Sequence, residues 1–187
     1  SWLGMWVDQD KTIKTLVDLA CSHSESQQLG GLMLLDKLLE DEPSVKDIIL
    51  NNAVYVNKVY ALGCGDDRDE AVLRVVNTLL DRISVLFDGD IESLIVKYKS
   101  PSRLDELAQG LVKLEQLLIG NYLLQDLVFK NDGLLDLLDD SLCSDYSDPR
   151  YMLTETTLRI VAVLFSISGV SVEAHRYRQQ KCGLRFA

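Results

Sequence analysis

The sequence predicts an all-α fold built from repeated helical units. Apolar residues recur at the helical spacing i, i+3, i+4, i+7, as in Ile13, Leu16, Val17 and Ala20. A sustained alternation of apolar and polar residues, which is typical of strands, is missing. The 187 residues are 47% hydrophobic and 26% charged, which favours a packed globular chain over a disordered one. Internal repetition supports the same prediction.

Helix-start signals follow one another along the chain. Ser24-x-x-Gln27 and Asp67-x-x-Glu70 resemble capping boxes, in which each terminal side chain binds a free backbone N–H. Ser100-Pro101 and Asp148-Pro149 place a capping residue before a proline suited to the first helical turn. These signals predict helix starts near residues 24, 67, 100 and 148.

Glycines predict where helices end. We expect breaks at Gly63-Cys64-Gly65, at Asp88-Gly89-Asp90 and at Gly120. The β-branched residues of 48–62 would also suit a strand, but Asn52 and Gly63 frame two short helices there equally well.

The chain overlays on itself when it is shifted by 79 residues. Gly31 then falls on Gly110, and Asp36 falls on Glu115. The match continues without a gap to Asn52, which falls on Asn131. A shift of this size corresponds to two units of about 40 residues, the period of armadillo-sized helical repeats.

Intermediate units are visible in one apolar pattern. It begins at Leu32, Leu73, Leu111 and Leu158, at spacings of 41, 38 and 47 residues. We therefore predict one domain, 1–187, with four units and a terminal segment that starts or caps a further unit. The predicted units are 8–40, 41–83, 84–120 and 121–169, followed by 170–187.

The segment 124–138 resembles the first helix, turn and second helix of an armadillo repeat, with Gly133 as the turn residue. A long third helix would follow over 149–168. The armadillo family, with HEAT repeats as its near relative, implies a right-handed α-solenoid of about four repeats. Third helices of such arrays usually line an extended concave surface that holds partners.

Charge and cysteine usage restrict the class of partner and the compartment. The net charge of −10 repels a phosphate backbone, so we expect no nucleic-acid partner. The four cysteines form no C-x-x-C pair, and we interpret them as reduced, mostly buried thiols of a cytoplasmic or nuclear protein. Apolar runs are too short to span a bilayer, so we expect no membrane insertion.

Catalytic and metal-binding motifs are missing from the sequence. It contains no phosphate-binding glycine loop, no H-E-x-x-H and no G-x-S-x-G. Cys21 and His23 pair a nucleophile type with a base type, but no third group accompanies them. Its acidic clusters do not match a calcium loop. We predict a protein without enzymatic activity, cofactor or metal.

Candidate partner-binding residues follow from the predicted third helices. The Trp and Asn ladder of importin- and catenin-like proteins, W-x-x-x-N, is missing, so peptide binding by that mechanism is doubtful. Residues opposite the apolar stripes are then the candidates. They are Asp36, Lys37, Arg74, Asn77, Thr78, Asp81, Glu115, Gln116, Arg159 and Ser166. The segment 160–167 is apolar on nearly all sides, which predicts either a covered helix or a docking face.

Both ends of the chain carry possible contact residues. Trp2 and Trp6 either pack over the end of the repeat array or anchor a partner. The segment 174–187 has no acid and contains Arg176, Arg178, Lys181 and Arg185, which predicts either a solvated helix face or an acidic-partner contact. A homodimer or further repeats could meet the chain at this end.

These features favour an interaction module. We expect a non-enzymatic scaffold or adaptor that binds a peptide or helix on its repeat surface. The alternative is an armadillo-type co-chaperone that acts as a nucleotide exchange factor for an Hsp70-type chaperone, as some armadillo-like proteins do.

Overall fold

The computed structural model describes residues 8–64, 69–142 and 145–166, and this part of the chain is helical with no strand. The all-α prediction is therefore confirmed. The helices are α1 (Gln9–Ala20), α2 (Glu25–Asp41), α3 (Pro43–Leu50), α4 (Ala53–Gly63), α5 (Glu70–Tyr98), α6 (Leu104–Leu118), α7 (Tyr122–Lys130), α8 (Asp132–Asp140) and α9 (Tyr151–Phe165), with a 3₁₀ turn at Pro101–Arg103 before α6. Among the described residues no helix is both long enough and apolar enough to cross a bilayer.

The chain divides into two compact units, Ser1–Phe87 and Asp88–Ala187. The boundary lies inside α5, so the first part of this helix belongs to the first unit and the rest to the second. The boundary predicted between residues 83 and 84 also falls inside α5.

The core of the first unit is shared by five helices. Side chains from α1, α2, α3, α4 and the first part of α5 line one small internal void, among them Val17, Leu35 and Ile83. Helix α1 comes close to α2 at Gly31. A Cβ atom there would lie 2.7 Å from the backbone nitrogen of Ala20 and 2.8 Å from the backbone oxygen of Leu16. The close packing of these two helices therefore depends on the missing side chain.

The core of the second unit is built around α6. Helix α9 packs along α6, and α7 contacts both α6 and α8. The buried amide of Gln125 donates to the backbone oxygen of Leu118 over 2.7 Å, which satisfies a carbonyl at the end of α6. Gly110 of α6 lies against Leu94 of α5, as Gly31 lies against α1 in the first unit.

The internal repeat is present in the helices themselves. Helices α2, α3 and α4 begin at residues 25, 43 and 53, and α6, α7 and α8 begin 79 residues later at 104, 122 and 132. Asn52 accepts a hydrogen bond from the backbone N–H of Tyr55 at the start of α4. Asn131 accepts one from Leu134 at the start of α8. The overlaid asparagines thus have the same capping role.

The predicted break at Asp88-Gly89-Asp90 is wrong, because α5 continues through it. Phe87 and Ile91 are fully buried on either side of this tripeptide and stand one helical turn apart. A glycine inside a helix costs about 1 kcal/mol relative to alanine, which a continuous buried stripe outweighs.

The predicted turn at Gly133 is displaced by two residues. Asn131 ends α7 and caps α8, and Gly133 already lies inside α8. Gly120 does separate two helices, and its φ of 68° is the left-handed conformation that glycine tolerates. The third helix predicted over 149–168 is observed as Tyr151–Phe165. Residues 48–62, the possible strand, form α3 and α4 instead.

Candidate partner-binding surfaces

An ion pair joins α2 to α5 in the first unit. Both side chains are partly buried, and Arg82 donates from Nε to one Asp36 oxygen and from Nη2 to the other, the latter over 3.3 Å. The hydrogen bond to Asp36 raises the pKa of the Arg82 guanidinium above its usual range. Asp36, a predicted site residue, is therefore bound within the chain rather than free for a partner.

Exposed aliphatic side chains flank this ion pair. Met33 lies one turn before Asp36 on α2, and Val85 lies one turn after Arg82 on α5, and both are exposed. We call Met33, Asp36, Arg82 and Val85 the Asp36–Arg82 face.

The other predicted residues of the first unit are exposed along the same two helices. Lys37 pairs with Glu40 and Asp41 of its own helix, over 3.1 and 3.2 Å. Arg74 pairs with Glu70 over 3.2 Å. Asn77, Thr78 and Asp81 are also exposed on α5, where helical spacing places Arg74, Thr78 and Asp81 on one side.

A second ion pair joins α6 to α9 in the second unit. Arg159 donates from Nε to both oxygens of Glu115, over 3.0 and 3.1 Å, and also contacts Glu155 over 2.6 Å. The hydrogen bond to Glu115 raises the pKa of Arg159. Two predicted residues, Glu115 and Arg159, are thereby brought together. Gln116 is exposed on α6, and Ser166 is exposed at the end of α9.

Aliphatic side chains flank this pair too. Val112 precedes Glu115 by three residues, Ile119 follows it by four, and both are exposed. We call Val112, Glu115, Ile119 and Arg159 the Glu115–Arg159 face.

The two faces are related by the internal repeat. A shift of 79 places Met33 on Val112 and Asp36 on Glu115. The arginines are 77 residues apart, so the overlay does not reveal Arg82. Sequence reasoning missed Arg82 for this reason. The signal that could have found it is a carboxylate at equivalent positions of two helices, each of which needs a basic partner once it is partly buried.

Helix α9 is buried on one side within the described structure. Thr157 and Ile160 are fully buried, whereas Leu158, expected to begin a buried pattern, is 54% exposed. Met152 is exposed as well. Placement of the apolar pattern at Leu158 was wrong because the buried stripe begins at Leu153 and follows different helical positions. Of the two predictions for this helix, the described residues do not cover its outer side.

The cysteines differ from their predicted burial. Cys21 and Cys64 are free and exposed, because each lies just past the end of a helix, α1 and α4 respectively. Cys143 and Cys182 lie outside the described residues, as do Trp2, Trp6, Arg176, Arg178, Lys181 and Arg185. Within the described ranges, no group of three or more His, Cys, Asp or Glu could hold a metal ion.

Comparison of the chain with models of known protein families, with curated proteins and with solved structures gave no match. The resemblance to armadillo repeats therefore depends on the pattern and order of the helices in this chain.

Proposed function

We propose that this chain is an armadillo-like helical-repeat module that binds a protein or peptide partner and has no enzymatic role. The observation that carries the proposal is the repeated surface arrangement. In each unit an arginine from a long helix pairs with a carboxylate of its neighbour, and an exposed aliphatic side chain stands beside the pair. Its order of helices supports a right-handed solenoid of about four repeats as the architecture.

The composition of these faces suits an interface. Arginine and large apolar side chains are enriched where partners bind, and an arginine already held by a carboxylate loses little freedom on binding. Partly exposed ion pairs contribute about 1 kcal/mol or less to stability. The recurrence of this costly local arrangement is therefore better explained by recognition than by folding alone.

The missing Trp and Asn ladder defines the mode of recognition. Aliphatic side chains and paired charges would contact the partner, instead of aromatic rings and amides. A scaffold or adaptor role in the cytoplasm or nucleus follows from a surface that binds without turnover.

Charge insertion at matched exposed positions tests the proposal. Met33 on α2 and Val54 on α4 belong to the same unit and are each 60% exposed, so a glutamate at either costs little stability. Proteins captured from cell extract by the wild type and by Val54→Glu, but not by Met33→Glu, would be partners of the Asp36–Arg82 face. With a purified partner we expect Met33→Glu to raise Kd at least tenfold.

The same design applies to the second unit, with Val112→Glu as the test and Val96→Glu as the control. The double variant Arg74→Glu/Asp81→Arg extends the test to the wider strip on α5. Equal affinity of the partner for Met33→Glu, Val112→Glu and the wild type would contradict the proposal. Accelerated nucleotide release from an Hsp70-type chaperone would instead indicate the exchange-factor alternative.

A further inference from the structure

A cleft of about 340 Å³ lies in the second unit, where the end of α5, the start of α6 and the loop before α9 meet. Its walls are largely apolar, since the ring of Tyr98, the side chain of Leu104 and the ring of Pro149 line it. This volume is near the lower end of the roughly 300–1,000 Å³ typical of ligand pockets. The cleft therefore suits a single side chain rather than a large cofactor.

The polar edge of the cleft is already paired. Arg150 donates from Nε to both oxygens of Asp148 over 3.1 Å and from Nη2 over 2.6 Å. It also hydrogen-bonds the Tyr98 hydroxyl, which in turn donates to Asp140 over 3.1 Å. An incoming anion would have to displace Asp148 from the guanidinium, so the edge does not favour phosphate or carboxylate ligands.

The surroundings of the cleft are negatively charged. Between Lys130 and Arg150 the sequence contains six aspartates and no lysine or arginine. Two of them, Asp139 and Asp140, lie in the last turn of α8, where the helix dipole disfavours carboxylates and no basic residue compensates. Residues that break a local rule in this way often serve recognition.

Exposed aromatic rings stand in the same loop and at the start of α9. Tyr146 is 81% exposed, and its ring centroid lies 4.3 Å from that of Tyr151. Aromatic faces attract lysine and arginine side chains, as the nearby carboxylates do.

We propose that this cleft binds one apolar side chain of a basic peptide segment, whose flanking lysines or arginines contact the aspartates around it. The apolar walls supply the anchor site, and the surplus of carboxylates selects the charge of the flanks. Arg150 and Arg159 stand about 13 Å apart along α9, so the cleft is separate from the Glu115–Arg159 face. The proposal does not depend on the partner-binding role of either face.

Short synthetic peptides test the cleft directly. The probes are Lys-Lys-X-Lys-Lys with X as Leu, Trp or Ala, and the same series with Glu in place of Lys. NMR titration of the full 187-residue chain reads affinity from the methyl signals of Leu104. We expect the Leu or Trp lysine peptide to bind at least tenfold more tightly than the Ala peptide, and the glutamate peptides not to bind.

Variants connect that binding to the cleft. Leu104→Trp fills it and should weaken the preferred peptide at least tenfold, whereas Val112→Trp, in the same helix, should leave the affinity unchanged. If Leu104→Trp fails to fold, Pro149→Lys at an exposed wall position serves instead, because its charge repels the probe. Equal affinity for the Leu, Trp and Ala peptides, binding of the glutamate series, or full affinity of the cleft variants would overturn the proposal. None of these results bears on the Met33 and Val112 experiments, so the two proposals can fail separately.

Discussion

Two adjacent glycines of α2 have opposite surroundings. A Cβ atom at Gly31 would lie within 3.0 Å of three atoms of α1, two of them backbone, whereas one at Gly30 would meet nothing within 4 Å. Because a helix backbone cannot shift as a flexible side chain can, the packing of α1 on α2 excludes any side chain at Gly31.

This contrast predicts opposite effects of one substitution. Gly31→Ala should lower the free energy of unfolding by about 1–3 kcal/mol, the usual cost of overpacking. Gly30→Ala should raise it by about 0.5–1 kcal/mol, because alanine restricts the unfolded chain and favours the helix. Urea denaturation of both variants checks this. A shift of both in the same direction would contradict the observed approach of α1.

The repeated asparagine caps make a second prediction. Asn52→Ala and Asn131→Ala should each destabilise the protein by about 1 kcal/mol, since each removes the acceptor of a helix-terminal N–H. Ser24 begins α2 without a side-chain capping bond, so Ser24→Ala is the matched control with a smaller expected effect. The midpoints of thermal unfolding measure all three, and an equal loss in the control would contradict the assigned capping role.

At the scale of the helix, α8 shows how charge placement departs from the stable optimum. Asp132 lies in its first turn, where the positive end of the dipole favours a carboxylate, and Asp139 lies in its last turn, where the negative end opposes one. Both are exposed.

The same neutralising substitution should therefore have opposite effects at the two ends of α8. Asp132→Asn is expected to destabilise the protein and Asp139→Asn to stabilise it, each within the roughly 0.3–1 kcal/mol of a charge–dipole interaction. Unfolding in urea at low ionic strength gives both signs. If Asp139→Asn also weakens the lysine peptides of the cleft experiment, stability and recognition compete at this residue. A destabilising Asp139→Asn would show that another contact of this carboxylate outweighs the dipole.

The helices themselves show which features a sequence can predict. Asn52 and Asn131 are local signals, and the overlay of 79 residues placed them at equivalent positions before the structure did. Gly89 misled because local propensity suggests a break, while burial of Phe87 and Ile91 depends on the packed core. Arg82 and the cleft at Leu104 depend on helices that are distant in sequence, and no local pattern records such meetings.

Across the whole molecule, the balance of charges exceeds what pairing can neutralise. The described residues carry 26 aspartates and glutamates and 14 lysines and arginines, so at least 12 carboxylates lack a basic partner in one-to-one pairing. The ion pairs of the two faces are partly exposed, and each contributes about 1 kcal/mol or less. Repulsion among the surplus carboxylates should therefore dominate the response of stability to salt.

Salt is accordingly expected to stabilise this protein. Raising the ionic strength from about 0.01 M to 0.15 M shortens the screening length from about 30 Å to 8 Å, which weakens repulsion between distant carboxylates more than attraction within close pairs. The Tm should rise over this range, to the same extent in NaCl and KCl if screening rather than ion binding is the cause. Glu115→Gln/Arg159→Gln removes one pair without changing the net charge, so its Tm should rise with salt by at least as much as that of the wild type. A Tm that falls with salt in the wild type but not in this variant would show that the paired arginines, and not the surplus carboxylates, govern stability.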